Sequence, residues 1–78
     1  MMTGEPVYSL ETLFEQLGMS GKSADIENFI LENRLDDATK LHEADIWTPQ
    51  QAAFLQKGLE NDASWAEVID ELNLRLHD

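Results

Sequence analysis

His42-Glu43-Ala44-Asp45 sets one imidazole and two carboxylates within four residues, the donor types of an oxygen- and nitrogen-ligated metal. A metal needs such donors brought to one point. The HExxH helix does this with two histidines one turn apart, and that pattern is absent. A lone histidine among acids in a polar loop reads as solvated, and His77, beside the C-terminus, reads as part of a frayed end that adds no ligand. "GMSGKS", residues 18–23, ends like a phosphate-binding loop but lacks the preceding strand and the spacing. Ser9, Ser20, Ser23 and Ser64 lie in no nucleophile-elbow context, and helix capping accounts for Ser9, Ser23 and Ser64. Carboxylate pairs such as Asp36–Asp37 and Asp70–Glu71 have polar neighbours, with no apolar pocket in view to raise a pKa. Without cysteine there is no thiolate, disulfide or Cys-based zinc site. The expectation is a protein that is not an enzyme and holds no metal or cofactor.

The elements that position these residues are helical. Sustained apolar–polar alternation is missing, so no strand is expected. Ser9 caps a first helix, with Tyr8 and Leu13 placed for a hydrophobic staple; Leu10, Leu13, Phe14 and Leu17 share one face, and Gly18 ends it. Gly21 is free to take a positive φ in the following turn, and Ser23 caps a second helix whose stripe is Ile26, Phe29 and Ile30, widened by Leu31. Arg34 falls in its last turn, the end a cation favours. The stretch over residues 36–46 is long for a link between helices, and its conformation stays open; Leu41, Ile46 and Leu35 are its expected anchors.

The third helix has the strongest start in the chain: Thr48 at the N-cap, Pro49 at the first position and Gln51 completing a capping box. Phe54, Leu55 and Leu59 carry its stripe. Gly58, which costs about 1 kcal/mol against alanine, points to a close helix–helix approach. "NDAS" breaks the chain, and Ser64 with Glu67 forms a second box. Trp65, Val68, Ile69, Leu72 and Leu76 follow over three turns. The predicted fold is all-α, a compact bundle of about four short helices near residues 10–17, 24–34, 49–61 and 65–76, the last two forming a hairpin. Residues 1–78 make one domain, with 1–8 flexible. Its core comprises Leu13, Phe14, Phe29, Ile30, Phe54, Leu55, Val68, Ile69 and Leu72.

Charge narrows the partners. Sixteen acidic against five basic residues give a formal −11, a sign that repels phosphate backbones and anionic membranes. No apolar run approaches the roughly 20 residues of a membrane span, and the acidic N-terminal stretch is unlike a signal peptide. A cytoplasmic protein with no nucleic-acid or membrane partner is expected.

Two tryptophans eighteen residues apart, each near the start of a helix, resemble the Myb/SANT repeat. That repeat reads bases with a third, basic helix. Here the chain ends at Asp78, and only Lys57 and Arg75 are basic after Trp47, so the resemblance stops at two helices. A wider one covers nearly the whole chain: "YSLETLFEQLGMS", "ADIWTPQQAAFL" and "NDASWAEVIDELN" resemble the small bacterial domain-of-unknown-function family DUF2789. That resemblance implies an all-helical, soluble, cytoplasmic protein, and no activity, ligand or catalytic residue.

A small chain with two Trp, three Phe and one Tyr has much aromatic surface to hide, and an aromatic left exposed makes a binding anchor. Trp47 is the expected partner contact and the more exposed tryptophan, whereas Trp65 is expected to be buried near Leu55 and Leu59. The function this supports is a non-catalytic protein–protein interaction module or homodimer whose protein partner the sequence does not name. The alternative is an acidic nucleic-acid mimic that inhibits a basic nucleic-acid-binding protein.

Overall fold

The computed structural model describes residues 8–77, so the expectation of a flexible 1–8 segment lies, except for Tyr8, outside the described residues. Four helices follow in order: α1 Leu10–Gln16, α2 Ser23–Glu32, α3 Pro49–Asn61 and α4 Ala63–Leu76, with a short 3-10 turn at Leu41–Glu43 between α2 and α3. No described residue is in a strand, and the all-α expectation holds. The most extensive helix–helix packing joins α3 and α4, the hairpin, and α1 packs against α4.

Each helix end shows what sets it. Ser9 Oγ accepts from the Thr12 amide and the Thr12 hydroxyl answers the Ser9 amide, a reciprocal box that fixes the start of α1. At the other end Gly18 takes φ +80°, and the amides of Gly18 and Met19 return to the carbonyls of Glu15 and Phe14. This is the left-handed cap that the sequence suggested. Gly18 alone has a positive φ among the described residues, so Gly21 does not use that freedom. Its missing side chain serves contact instead: a Cβ there would sit 2.6 Å from the Glu11 carbonyl oxygen.

Two expected caps move. Ser23 is the first residue of α2, not its cap; Lys22 enters extended with no side-chain bond to the helix. The Ser20 hydroxyl, by donating to Asp25 and accepting from the Lys22 amide, holds this turn. Helix α2 stops at Glu32 because Asn33 Nδ2 donates to the Phe29 carbonyl, and Arg34 therefore lies beyond the last turn. Helix α4 begins at Ala63, not at Trp65, since Asp62 Oδ1 accepts from the Ser64 and Trp65 amides. A carboxylate two or three residues upstream outcompetes the serine box. The break between α3 and α4 shrinks to Asp62.

The core gathers Leu10, Leu13, Phe14 and Leu17 of α1, Ile26 and Ile30 of α2, Leu55 of α3, and Val68, Ile69, Leu72 and Leu76 of α4. Leu41, Ala44 and Trp47 bury the loop side of the same cluster, so residues 36–46 are an ordered excursion anchored as expected at Leu41, with Leu35 and Ile46 packed against the core. Phe29 and Phe54, expected inside, are only half-buried against it. Leu31 and Leu59 are exposed. Leu31 sits one residue past Ile30, about 100° round the helix from the buried face.

Gly58 is where α3 and α4 meet. A Cβ there would fall 2.6 Å from Ile69 Cδ1 and 3.5 Å from Trp65 Cβ, and Ile69 is fully buried. The close approach inferred from the cost of this glycine is present. Gly58→Val is expected to destabilise by about 1–3 kcal/mol through overpacking, despite leaving glycine's poor helix propensity behind. Thermal melting of the variant checks it; an unchanged midpoint would mean that the two helices part easily here.

Candidate interaction surface

The aromatic side chains divide into two clusters. Inside, Phe14 meets Phe29 edge-on at 5.5 Å, and Phe29 lies 5.4 Å from Trp47 at a tilt of 31°. Trp47 is 8% exposed, and its indole N–H donates to the Leu41 carbonyl at 2.8 Å. That bond satisfies the one polar atom of the ring and lets the loop fold over it. Trp47 is therefore a closing piece of the core, and the expectation that it is the more exposed tryptophan is reversed. This leaves little of its ring at the surface for the partner contact expected of it. The loop covering it, residues 36–46, is the stretch whose conformation the sequence leaves open.

The second cluster lies at the surface. Trp65 is half-buried, with Tyr8 edge-on at 4.8 Å and Phe54 at 5.9 Å. Helix α4 starts two residues early, and Trp65 lies beside Gly58 and Phe54 at the edge of the core. A shallow recess of about 400 Å³ opens beside it, lined by Phe54, Lys57, Gly58, Asn61, Asp62 and Trp65. A tandem of half-covered rings beside a recess is what a hot spot needs: large area, few torsions to freeze and little water to displace.

Polar ties hold the frame of this surface. Gln51 Oε1 accepts from the Thr48 amide in the expected capping box, while Nε2 donates to the Leu17 carbonyl at 2.7 Å. One side chain thus starts α3 and fastens it to the end of α1, and through α3 fixes the height of Phe54. At the far end Leu35 N–H donates to the Leu76 carbonyl.

His77 is no frayed end. Nδ1 lies 2.7 Å from the Asn73 carbonyl oxygen and Nε2 2.7 Å from that of Thr39. Two acceptors facing both ring nitrogens call for two donors, which only the imidazolium supplies. The Asn73 and Thr39 carbonyls raise its pKa above the ordinary value of 6.5, with Asp37 and Asp36 adding to the effect. The Asp36 carboxyl is in turn lowered, chiefly by the Thr39 hydroxyl and then by the Ala38 amide. Such a raised group stabilises the fold fully below pH about 6.5, and that contribution fades as pH rises through the higher folded value. Against a His77→Gln reference, which cancels the other titrating groups, the wild-type advantage in melting temperature should shrink from pH 6 to pH 8.5. A pH-independent difference would show that the clasp is neutral.

The residues weighed as metal donors do not converge. His42 Nε2 lies 3.9 Å from Glu43 Oε2, and Asp45 is exposed. Among the described residues no three His, Cys, Asp or Glu side chains group to hold a metal ion. No described helix is long and apolar enough to cross a membrane.

The sequence profile of a family described as "Protein of unknown function (DUF2789)" matches residues 2–76. The chain belongs to the DUF2789 family. The solution NMR structure of protein CV0237 from Chromobacterium violaceum is similar to it, at 46% identity and a TM-score of 0.79 over 86% of this chain and 85% of that one. No curated protein matches at a significant level. The order of helices and hairpin is thus shared with an experimentally solved relative.

Proposed function

We propose that this DUF2789 chain is a non-catalytic protein–protein interaction module of the cytoplasm. It engages a partner protein, or a second copy of itself, through the Tyr8–Trp65–Phe54 face. The observation that carries this reading is the half-buried Trp65 held between two aromatic rings beside an open recess. The absence of cysteine fits the compartment. The nucleic-acid-mimic reading is disfavoured by the acids themselves. Glu15 and Glu60 are exposed away from the groove where Glu11, Glu27 and Glu71 meet, and Arg75 interrupts that cluster, whereas a mimic needs its carboxylates in one phosphate-like row.

Sedimentation at micromolar concentration, followed by photo-crosslinking in cells from an unnatural residue at Lys57, tests the proposal. Either self-association or a discrete adduct is expected, and Trp65→Ala should abolish it while circular dichroism stays helical. A crosslinker at Asp36 should give no such adduct. A strict monomer whose adducts are indifferent to Trp65 would sink the reading.

A further inference from the structure

A second groove, sharing no residue with the aromatic recess, lies between the 37–42 loop and the ends of α3 and α4. Its volume is about 420 Å³, within the roughly 300–1,000 Å³ of small-ligand sites. Leu41 is buried in its lining at 4% exposure, while Leu59 and Leu74 flank it at 41% and 64%. A single exposed leucine needs no explanation; two meeting at one recess form a patch.

The charge of this groove is unlike the rest of the chain. Lys40 and Asp37 balance in its lining, although the whole sequence carries −11, and His77 between its two carbonyls adds positive charge. The groove of comparable size at Tyr8 and Ser9 is net acidic, with Glu11, Glu27 and Glu71 against Arg75. Lys40 is exposed and makes no ion pair among the described residues. His77 spends both nitrogens on the Thr39 and Asn73 carbonyls, so it offers a ligand charge and not a donor. The same two bonds pin the loop to α4, which makes the groove wall preformed.

We propose that this groove binds a small amphipathic carboxylate, with its alkyl chain on Leu41, Leu59 and Leu74 and its headgroup at Lys40. Size and charge choose this occupant. Three leucines fall far short of the roughly 800 Å² that each partner of a stable complex covers. An acidic polypeptide would meet the repulsion of a chain carrying −11 many times over. A monoanion meets it once, screened beyond about 8 Å at physiological salt.

Titration of the 15N-labelled full chain with octanoate, octanol and octylammonium below their micellar concentrations tests it. Octanoate should shift the Leu41, Leu59 and Leu74 amides along one saturable, single-site curve. Octanol should bind several-fold more weakly and octylammonium more weakly still. Lys40→Gln should cut octanoate affinity about two- to fivefold, the scale of one exposed charge pair, and leave octanol unchanged. Leu74→Asp should abolish both, and Leu74→Ser, at this exposed position, gives the same readout should the first variant misfold. Equal binding of octanol and octanoate overturns the proposal, as does tighter octylammonium binding. So does saturation at the Trp65 amide, or by an acetylated Leu-Glu peptide where octanoate fails.

Discussion

Trp47→Ala is expected to lower stability by about 3–5 kcal/mol, the usual cost of emptying a large buried aromatic site. Three separate losses combine. The ring is 8% exposed, so nearly its whole apolar surface returns to water. Its tilted contact with Phe29 at 5.4 Å disappears. The Leu41 carbonyl loses its 2.8 Å indole donor, and with it the bond that folds the 36–46 loop over the core. Urea denaturation followed by far-UV circular dichroism measures the cost. Iodide quenching gives an independent check: Trp47 alone, in a Trp65→Phe background, should be shielded, and Trp65 alone should quench more freely. A cost below about 1 kcal/mol together with free quenching of Trp47 would show that the loop lies open.

Phe14→Ala should cost as much, about 3–5 kcal/mol, by a different route. Phe14 is 1% exposed and belongs to a helix of only seven residues, too short to persist without its packing. Its edge-on pairing with Phe29 at 5.5 Å adds an orientation-dependent contribution of about 0.5–1.5 kcal/mol that leucine would not restore. Because domains of this kind are stable by only about 5–15 kcal/mol, the loss consumes a large share of the total. Phe14→Leu should retain most of the burial and cost less than half as much. Equal costs for the two variants would mean that ring shape, not burial, holds α1 in place.

Local chemistry made much of this fold legible. The start of α3 could be read from Thr48, Pro49 and Gln51 because a capping box is satisfied within four residues. The end of α1 could be read from Gly18 because a left-handed turn excludes side chains. The stripes of α1 and α4 were visible because burial repeats with the helix period. Where two local options competed, sequence was a poorer guide: Asp62 and Ser64 can each cap α4, and the carboxylate prevailed.

The surface was decided elsewhere. Both tryptophans stand near helix starts, and nothing within a few residues of either says which one the chain will cover. The choice came from contacts across the sequence: Leu41 reaching the Trp47 indole, Tyr8 meeting Trp65, and Thr39 meeting His77. His77 read as a frayed end because its second carbonyl lies thirty-eight residues away. The helices, the caps at Ser9, Gly18 and Thr48 and the stripes of α1 and α4 were written in the sequence, since hydrogen bonds and periodicity act between near neighbours. Which aromatic faces solvent, and which groove brings Lys40 and His77 to the same leucines, only the tertiary structure decided, because both depend on how a loop without periodic signal closes over the core.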